Sequence, residues 1–328
     1  MRILKNKDIK TNILKKLNVG IIGFGNQARA QALNLKDSNI KVTIGLRKDS
    51  ESISLAKDEG FNVVLIRELV ISSDLICILI PDENIQSLFD EIKSELRSNQ
   101  TLLFSHGYAV HFKEIKIPKN INVILVAPSG SGKMVREKFI NDSGVPNLIA
   151  INQDLSGKSR DIALEYSRAI GGGRVGIIES SFEEEVVSDL FGEQVLLTGG
   201  IPTLIRESFK VLLEHGCRPE VAWLVCYYEV KSIVDSFHDI GLDSLNSIIS
   251  NIAEYGGYTR GKKIINDTSI SNMNEIIDSI KNGKFNKEWN EEIASKFKNL
   301  DMSRKKVKKE TINEVTSKML ESIKNKKS

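Results

Sequence analysis

The sequence predicts an α/β fold: an amino-terminal doubly wound parallel sheet over residues 1–181, then an all-α half over residues 182–328. Three observations predict it. In the first half, short apolar runs alternate with helix-length stretches, the pattern of a parallel sheet covered on both faces. The first apolar run ends in a glycine-rich turn that opens a helix. From about residue 182 the glycine and strand signals fade and helical periodicity takes over.

The elements follow in order. Residues 18–23 form a buried strand that leads through Gly23-Phe-Gly25 into a helix, Arg29 to Leu35. A second strand runs from Lys41 to Leu46, followed by a helix near 50–59, a strand from Asn62 to Leu65 and a helix at 67–72. The very apolar stretch Leu75 to Ile80 is a strand, with further strands at Thr101 to Phe104, Val123 to Ala127 and Asn147 to Ile151. In the second half the periodicity predicts helices at 183–198, 201–215, 219–239, 244–254, 270–281, 286–297 and 304–325. Residues 257–270 read as an irregular connection, and Phe191, Val195 and Leu196 space as a buried face.

Composition narrows the class. The 328 residues are 41% hydrophobic and 27% charged, which suits two domains with ordinary cores. A net charge of +3 gives no reason to expect nucleic acid, and the basic run at 304–309 reads as a solvated helix face. No apolar run is long enough to span a bilayer. Three cysteines, odd in number and without a CxxC spacing, point to a reducing cytoplasm.

The glycine turn carries the first chemistry. A strand before it, a helix after it and a second strand ending about twenty residues on make a Rossmann-like dinucleotide site. Gly23 allows the tight turn, Gly25 admits a pyrophosphate, and Ala28 is tolerated in third place. The helix amino terminus at 26–30 then holds the phosphates. At the end of the second strand, where an NAD enzyme puts a carboxylate, stands Leu46-Arg47-Lys48-Asp-Ser50-Glu-Ser52. Arg47, Ser50 and Ser52 suit a 2′-phosphate, so NADP(H) is expected, with Asp49 and Glu51 opposing.

Asp189 and Glu193 carry the second. Four residues apart on a predicted helix, they share a face and can grip a divalent ion. On the helix around residues 222–235 only Glu229 offers another carboxylate; one turn earlier stands Val225.

These pieces, in this order, resemble ketol-acid reductoisomerase of the short type nearly end to end. The matching stretches are Gly23-Phe-Gly-Asn-Gln27 with Ala32-Leu-Asn-Leu35, Gly45-Leu-Arg47, Leu79-Ile-Pro-Asp82, Phe104-Ser-His-Gly107 with His111-Phe112, and Val126-Ala-Pro128. In the second half they are Asp189-Leu-Phe-Gly-Glu-Gln194, Ser250-Asn251 with Ala253-Glu-Tyr-Gly256, and Gly283-Lys-Phe285 with Trp289. The resemblance implies a knotted helical domain and a homodimer, or an oligomer of dimers, whose active sites are shared between subunits. It implies NADPH and Mg²⁺ as cofactors and a small-molecule substrate, a 2-acetohydroxy acid. In that chemistry an alkyl group migrates with metal help and hydride then reduces the new ketone.

Carried over residue by residue, the resemblance assigns the metal to Asp189, Glu193 and Glu229. Catalysis falls to His106, Glu193 and Ser250. The cofactor meets Gly23, Gly25, Asn26, Gln27, Arg47, Ser50, Ser52, Pro81, Asp82, His106 and Gly132. It also exposes two departures. The fourth metal carboxylate falls on Val225, and the active-site lysine falls on Ser129 within Pro128-Ser-Gly-Ser-Gly132. Valine cannot ligate Mg²⁺, so the ion count can fall to one or none. Losing one acid and one base leaves the protein's formal charge in the pocket unchanged; losing an ion as well makes it less positive. Alkyl migration needs strong Lewis-acid activation and hydride delivery needs less. The sequence therefore predicts an NADPH-dependent reductase of a ketone or imine with weak or lost alkyl migration. The alternatives are an authentic Mg²⁺-dependent reductoisomerase and a non-catalytic cofactor-binding relative. Lys133, four residues beyond Ser129, is the candidate to replace the missing lysine.

Overall fold

The computed structural model describes residues 2–324, in two compact units that divide between Ser188 and Asp189. The first unit is built on one eight-stranded sheet. Its strands are β1 (Val19–Ile22), β2 (Val42–Leu46), β3 (Asn62–Leu65), β4 (Leu75–Ile78), β5 (Thr101–Phe104), β6 (Asn122–Pro128), β7 (Asn147–Gln153) and β8 (Ile177–Glu179), in the order β3-β2-β1-β4-β5-β6-β7-β8. The helices between them are α1 (Asn26–Asp37), α2 (Ser52–Asp58), α3 (Ile66–Ser72), α4 (Ile85–Ile92), α5 (Tyr108–His111), α6 (Gly132–Ile140), α7 (Ser159–Ala169) and α8 (Gly172–Val175). Every residue of β1, β4 and β5 is buried, which is why these strands read as unbroken apolar runs. Successive residues alternate between two cores. Ile21, Leu75, Cys77 and Leu103 belong to one; Ile22, Ile76, Ile78, Leu102 and Phe104 belong to the other. The predicted doubly wound sheet is therefore present, with two additions. β7 runs antiparallel to β6, and β8 extends the sheet beyond it. A short apolar run carries no sign of strand direction, and β8 is only three residues long.

The second unit is helical, as expected. Helix α9 (Phe182–Gly192) passes across the division and continues into a π-helical turn, Glu193–Leu197. There follow α10 (Gly200–Glu214), α11 (Pro219–Trp223), a second π-turn at Leu224–Tyr228, α12 (Val230–Ile240), α13 (Asn251–Ile264), α14 (Asp267–Lys281), α15 (Lys284–Ala294), α16 (Lys298–Lys308) and α17 (Thr311–Lys324). Several boundaries correct the sequence reading. Residues 257–270 are mostly helix: the glycines there only weaken a helix, by about 1 kcal/mol each, and the Ser250 hydroxyl caps α13 by accepting from Ala253 N at 3.3 Å. That cap also starts the helix at Asn251 rather than 244, where a single 3₁₀ turn, Ser244–Ser247, stands instead. The span 304–325 is two helices parted at Lys309 and Glu310, and residue 325 lies outside the described residues. Leu196 is 55% exposed, not part of a buried face, because the π-turn shifts the helical phase there.

The helical unit has a small core of its own, formed by Phe209, Ala222, Trp223, Ile312 and Val315. The Trp223 indole N–H donates to Thr316 Oγ1 at 2.8 Å and its ring stacks on Tyr227 at 5.3 Å. The second π-turn is thereby tied to α17.

Candidate functional site

The sheet order reverses between β1 and β4, so their carboxyl ends flank a crevice where α/β sheets bind ligands. Five loops meet the rim of this crevice, those after β1, β2, β4, β5 and β6. Gly23 sits at φ +100°, and a β-carbon there would lie 2.6 Å from the Leu79 carbonyl oxygen. Glycine is therefore required by the chain itself. Gly25 differs. Its backbone is extended, φ −76° and ψ −168°, and nothing lies within 4 Å of an added β-carbon. The protein alone gives no reason for glycine at that position, whereas a pyrophosphate approaching the start of α1 does. The residues fit a dinucleotide.

The side chains of this turn are engaged with protein. Gln27 Nε2 donates to the Gly130 carbonyl at 2.8 Å, and Arg29 pairs with Glu59, so neither is turned toward phosphate. The amino terminus of α6 presses against α1: a β-carbon on Gly132 would stand 2.1 Å from the Asn26 carbonyl oxygen. Gly132 and Asn26 thus hold two helix starts side by side. At the end of β2, Arg47 is exposed while Ser50 and Ser52 are half-buried, and the Ser50 hydroxyl accepts from Ser52 N at 3.4 Å. A cleft of about 270 Å³ opens beside this loop, its lining including Arg47, Lys48, Lys57 and Glu68. Three cations against one carboxylate favour an anion there.

Pro81 and Asp82 follow β4, and His106 follows β5. Burial pushes the Asp82 carboxyl up to about 6, while the nearby His106 pulls it the other way. His106 is half-buried, and its Nδ1 lies 3.0 Å from Glu185 Oε1. The other oxygen of Glu185 accepts the Gly107 backbone N–H at 2.9 Å. Glu185, on α9, is buried. A carboxylate in this position fixes the imidazole's orientation and favours the proton on Nδ1, leaving Nε2 as the ring's other exchangeable atom. Sequence reasoning missed Glu185. It is one of three successive acids, Glu183 to Glu185, and only its helical phase with Phe182 and Asp189 marks it out.

Asp189 stands one turn beyond Glu185 on α9, and the α-helix holds to Gly192, so Glu193 falls one turn further on. Both are exposed. Glu193 opens the first π-turn and Glu229 directly follows the second, which contains Val225. Such turns occur preferentially at functional positions. Among the described residues, no cluster of three or more candidate ligands contains Glu193 or Glu229. Val225 is 47% exposed, a hydrocarbon at the surface one turn before Glu229. Ser250, also exposed, spends an acceptor lone pair on capping α13 and keeps its hydroxyl proton for another partner. In the loop after β6, Ser129 N donates to the Pro146 carbonyl at 2.8 Å. The Lys133 side chain is 81% exposed and pairs with Glu137 at 3.6 Å.

Comparison with known proteins agrees with this layout. A family model described as acetohydroxy acid isomeroreductase, NADPH-binding domain, matches residues 13–176. One described as ketol-acid reductoisomerase, C-terminal domain, matches residues 182–325. The chain is 40% identical over 320 residues to the ketol-acid reductoisomerase (NADP(+)) of Sulfurimonas denitrificans, covering 97% of this chain and 95% of that protein. The solved structure of an NADH-preferring ketol-acid reductoisomerase from an uncultured archaeon superposes with a TM-score of 0.95 at 36% identity. That match covers 98% of this chain and 99% of that one. A semialdehyde dehydrogenase NAD-binding protein from Cupriavidus necator, at 14% identity, 81% and 99% coverage and a TM-score of 0.62, shares the fold alone.

Proposed function

The chain belongs to the ketol-acid reductoisomerase family, and from that premise we propose that it reduces a ketone or imine with NADPH, with alkyl migration weak or absent. The observation that carries this reading is Val225, an exposed hydrocarbon in a π-turn where the family places a metal carboxylate. The loss of the lysine at Ser129, with Lys133 directed to solvent, supports it. Asp189 and Glu193 would hold Mg²⁺, with Glu229 contributed by a second copy. Bound Mg²⁺ would polarise the substrate carbonyl, and one carboxylate fewer weakens that hold. NADPH supplies the hydride. Arg47, with Ser50 and Ser52, supports the phosphorylated cofactor, although a relative of similar identity prefers NADH. The half-buried His106, oriented by Glu185, would hold or move the proton at the new alkoxide.

The helical unit supports assembly from two copies. Leu204, Val211, Tyr228, Leu242, Ile252 and Tyr255 are all exposed, far more apolar surface than its small core covers. End-to-end similarity to an NADP-dependent reductoisomerase favours a second reading, the orthodox reaction with water in place of the lost carboxylate. The test is NADPH oxidation with 2-acetolactate and, separately, with the rearranged ketone 3-hydroxy-3-methyl-2-oxobutyrate, each with and without Mg²⁺. Turnover of the second compound alone supports the proposal. Comparable turnover of both refutes it in favour of the orthodox enzyme; turnover of neither, with NADPH still bound, refutes the orthodox reading and moves the test to other ketones, to imines and to a non-catalytic role.

A further inference from the structure

Three of the loops at the crevice meet through one side chain that has had no role so far. Gln31, on α1, is fully buried. Its Nε2 donates to Gln27 Oε1 at 3.2 Å and to Ser105 Oγ at 3.1 Å, and its Oε1 accepts the Tyr166 hydroxyl at 2.9 Å. Gln27 in turn donates to the Gly130 carbonyl at 2.8 Å. The amide thus joins the turn after β1, the segment after β5 that carries His106, and the loop after β6 that contains Ser129. Behind it, Tyr166 is fully buried on α7 against Cys77 of β4, so the network is anchored in the middle of the sheet.

We propose that Gln31 is a positioning residue that sets these three loops in one register, so that the bound dinucleotide and His106 address the same substrate atom. The inference rests on the reading of the glycine turn and His106 given above. Its physical basis is the cost of a buried polar network left half-satisfied. An apolar residue here would take one partner from each of the Tyr166 hydroxyl, the Gln27 carbonyl and the Ser105 hydroxyl, and each loop could then relax separately. A hydrocarbon core would hold the fold as well or better. The polar choice makes sense where relative loop geometry matters.

The experiment uses the full-length protein and two variants. Gln31→Met keeps the side-chain length and removes all three hydrogen bonds; Tyr166→Phe keeps the ring and removes only the bond behind Gln31. NADPH affinity is read by fluorescence titration, which needs no turnover, and kcat and KM are read with the rearranged ketone. Gln31→Met should raise the NADPH dissociation constant and lower kcat, each about tenfold, the scale of one buried polar group left unpaired. KM for the ketone should stay unchanged. Tyr166→Phe should shift kcat the same way by less. In a cycle with Gln27→Met, the two losses of NADPH affinity should be less than additive, because both act through one network. Wild-type affinity and kcat in a folded Gln31→Met protein would overturn the proposal. So would additive losses, or losses that match the unfolded fraction while Tyr166→Phe behaves as wild type. If the wild type binds NADPH but reduces no ketone or imine, the functional reading fails, and the affinity cycle still decides the role of Gln31.

Discussion

Replacing Glu185 with Gln changes one atom and tests how His106 is held. The carboxylate accepts from two donors, His106 Nδ1 at 3.0 Å and the Gly107 amide at 2.9 Å. A glutamine has one acceptor oxygen for them. The Gly107 N–H is fixed by the backbone and keeps that oxygen, so the glutamine NH₂ faces the imidazole. To accept from it, Nδ1 must give up its proton, and the ring proton moves to Nε2. The wild-type bond is charge-assisted and worth about 1.5–3 kcal/mol. Its loss, with the wrong tautomer in place, should lower kcat for the rearranged ketone by about tenfold to a hundredfold. Because Glu185 is buried, removing its charge also relieves a desolvation cost, and the melting temperature should change little. The assay is steady-state NADPH oxidation beside a thermal melt, with the His106 tautomer read by nitrogen NMR. Wild-type kcat in Glu185→Gln would refute the reasoning, and so would a kcat loss with the proton still on Nδ1.

Other outcomes follow from the same geometry. Gly25→Ala should fold with wild-type stability and bind NADPH poorly, since its β-carbon meets only open space. Gly132→Ala should instead lose about 1–3 kcal/mol of stability, because its β-carbon collides with the Asn26 carbonyl; denaturant melts and NADPH titration separate the two. Arg47→Ala should narrow the preference for NADPH over NADH by about tenfold in kcat/KM. Asp82 holds its proton more tightly in the folded state, up to about 6, so protons favour folding. Stability should therefore fall as pH rises from the ordinary carboxylate range to about 6 and level off above it; Asp82→Asn should remove that slope from pH-dependent melts.

The sheet and the glycine turn were legible because apolar runs and the need for φ near +100° at Gly23 leave direct marks on the residues. The acidic helix α9 was legible through Asp189 and Glu193, whose spacing alone puts them on one helical face. The rest was hidden for physical reasons. Nothing in a short apolar run says that β7 is antiparallel. Neither π-turn has a composition of its own, so the interruption at Leu224–Tyr228 read as continuous helix. Glu185 and Gln31 look like surface polar residues in the sequence. Their burial comes from partners 79 and 135 positions away in the chain, His106 and Tyr166. Leu196 read as part of a buried face, because periodicity marks a face to be covered without saying by what.

The central claim is that hydride transfer outlives alkyl migration in this chain, and migration can be watched directly. The purified protein would be incubated with NADPH, Mg²⁺ and 2-acetolactate carrying a carbon-13 label in the methyl group on C2. Carbon NMR then follows that methyl. The account predicts that the label stays on the C2 methyl of 2-acetolactate, while the same preparation consumes NADPH with the rearranged ketone. Label appearing in a methyl of 2,3-dihydroxyisovalerate, at a rate comparable to that reduction, would contradict it.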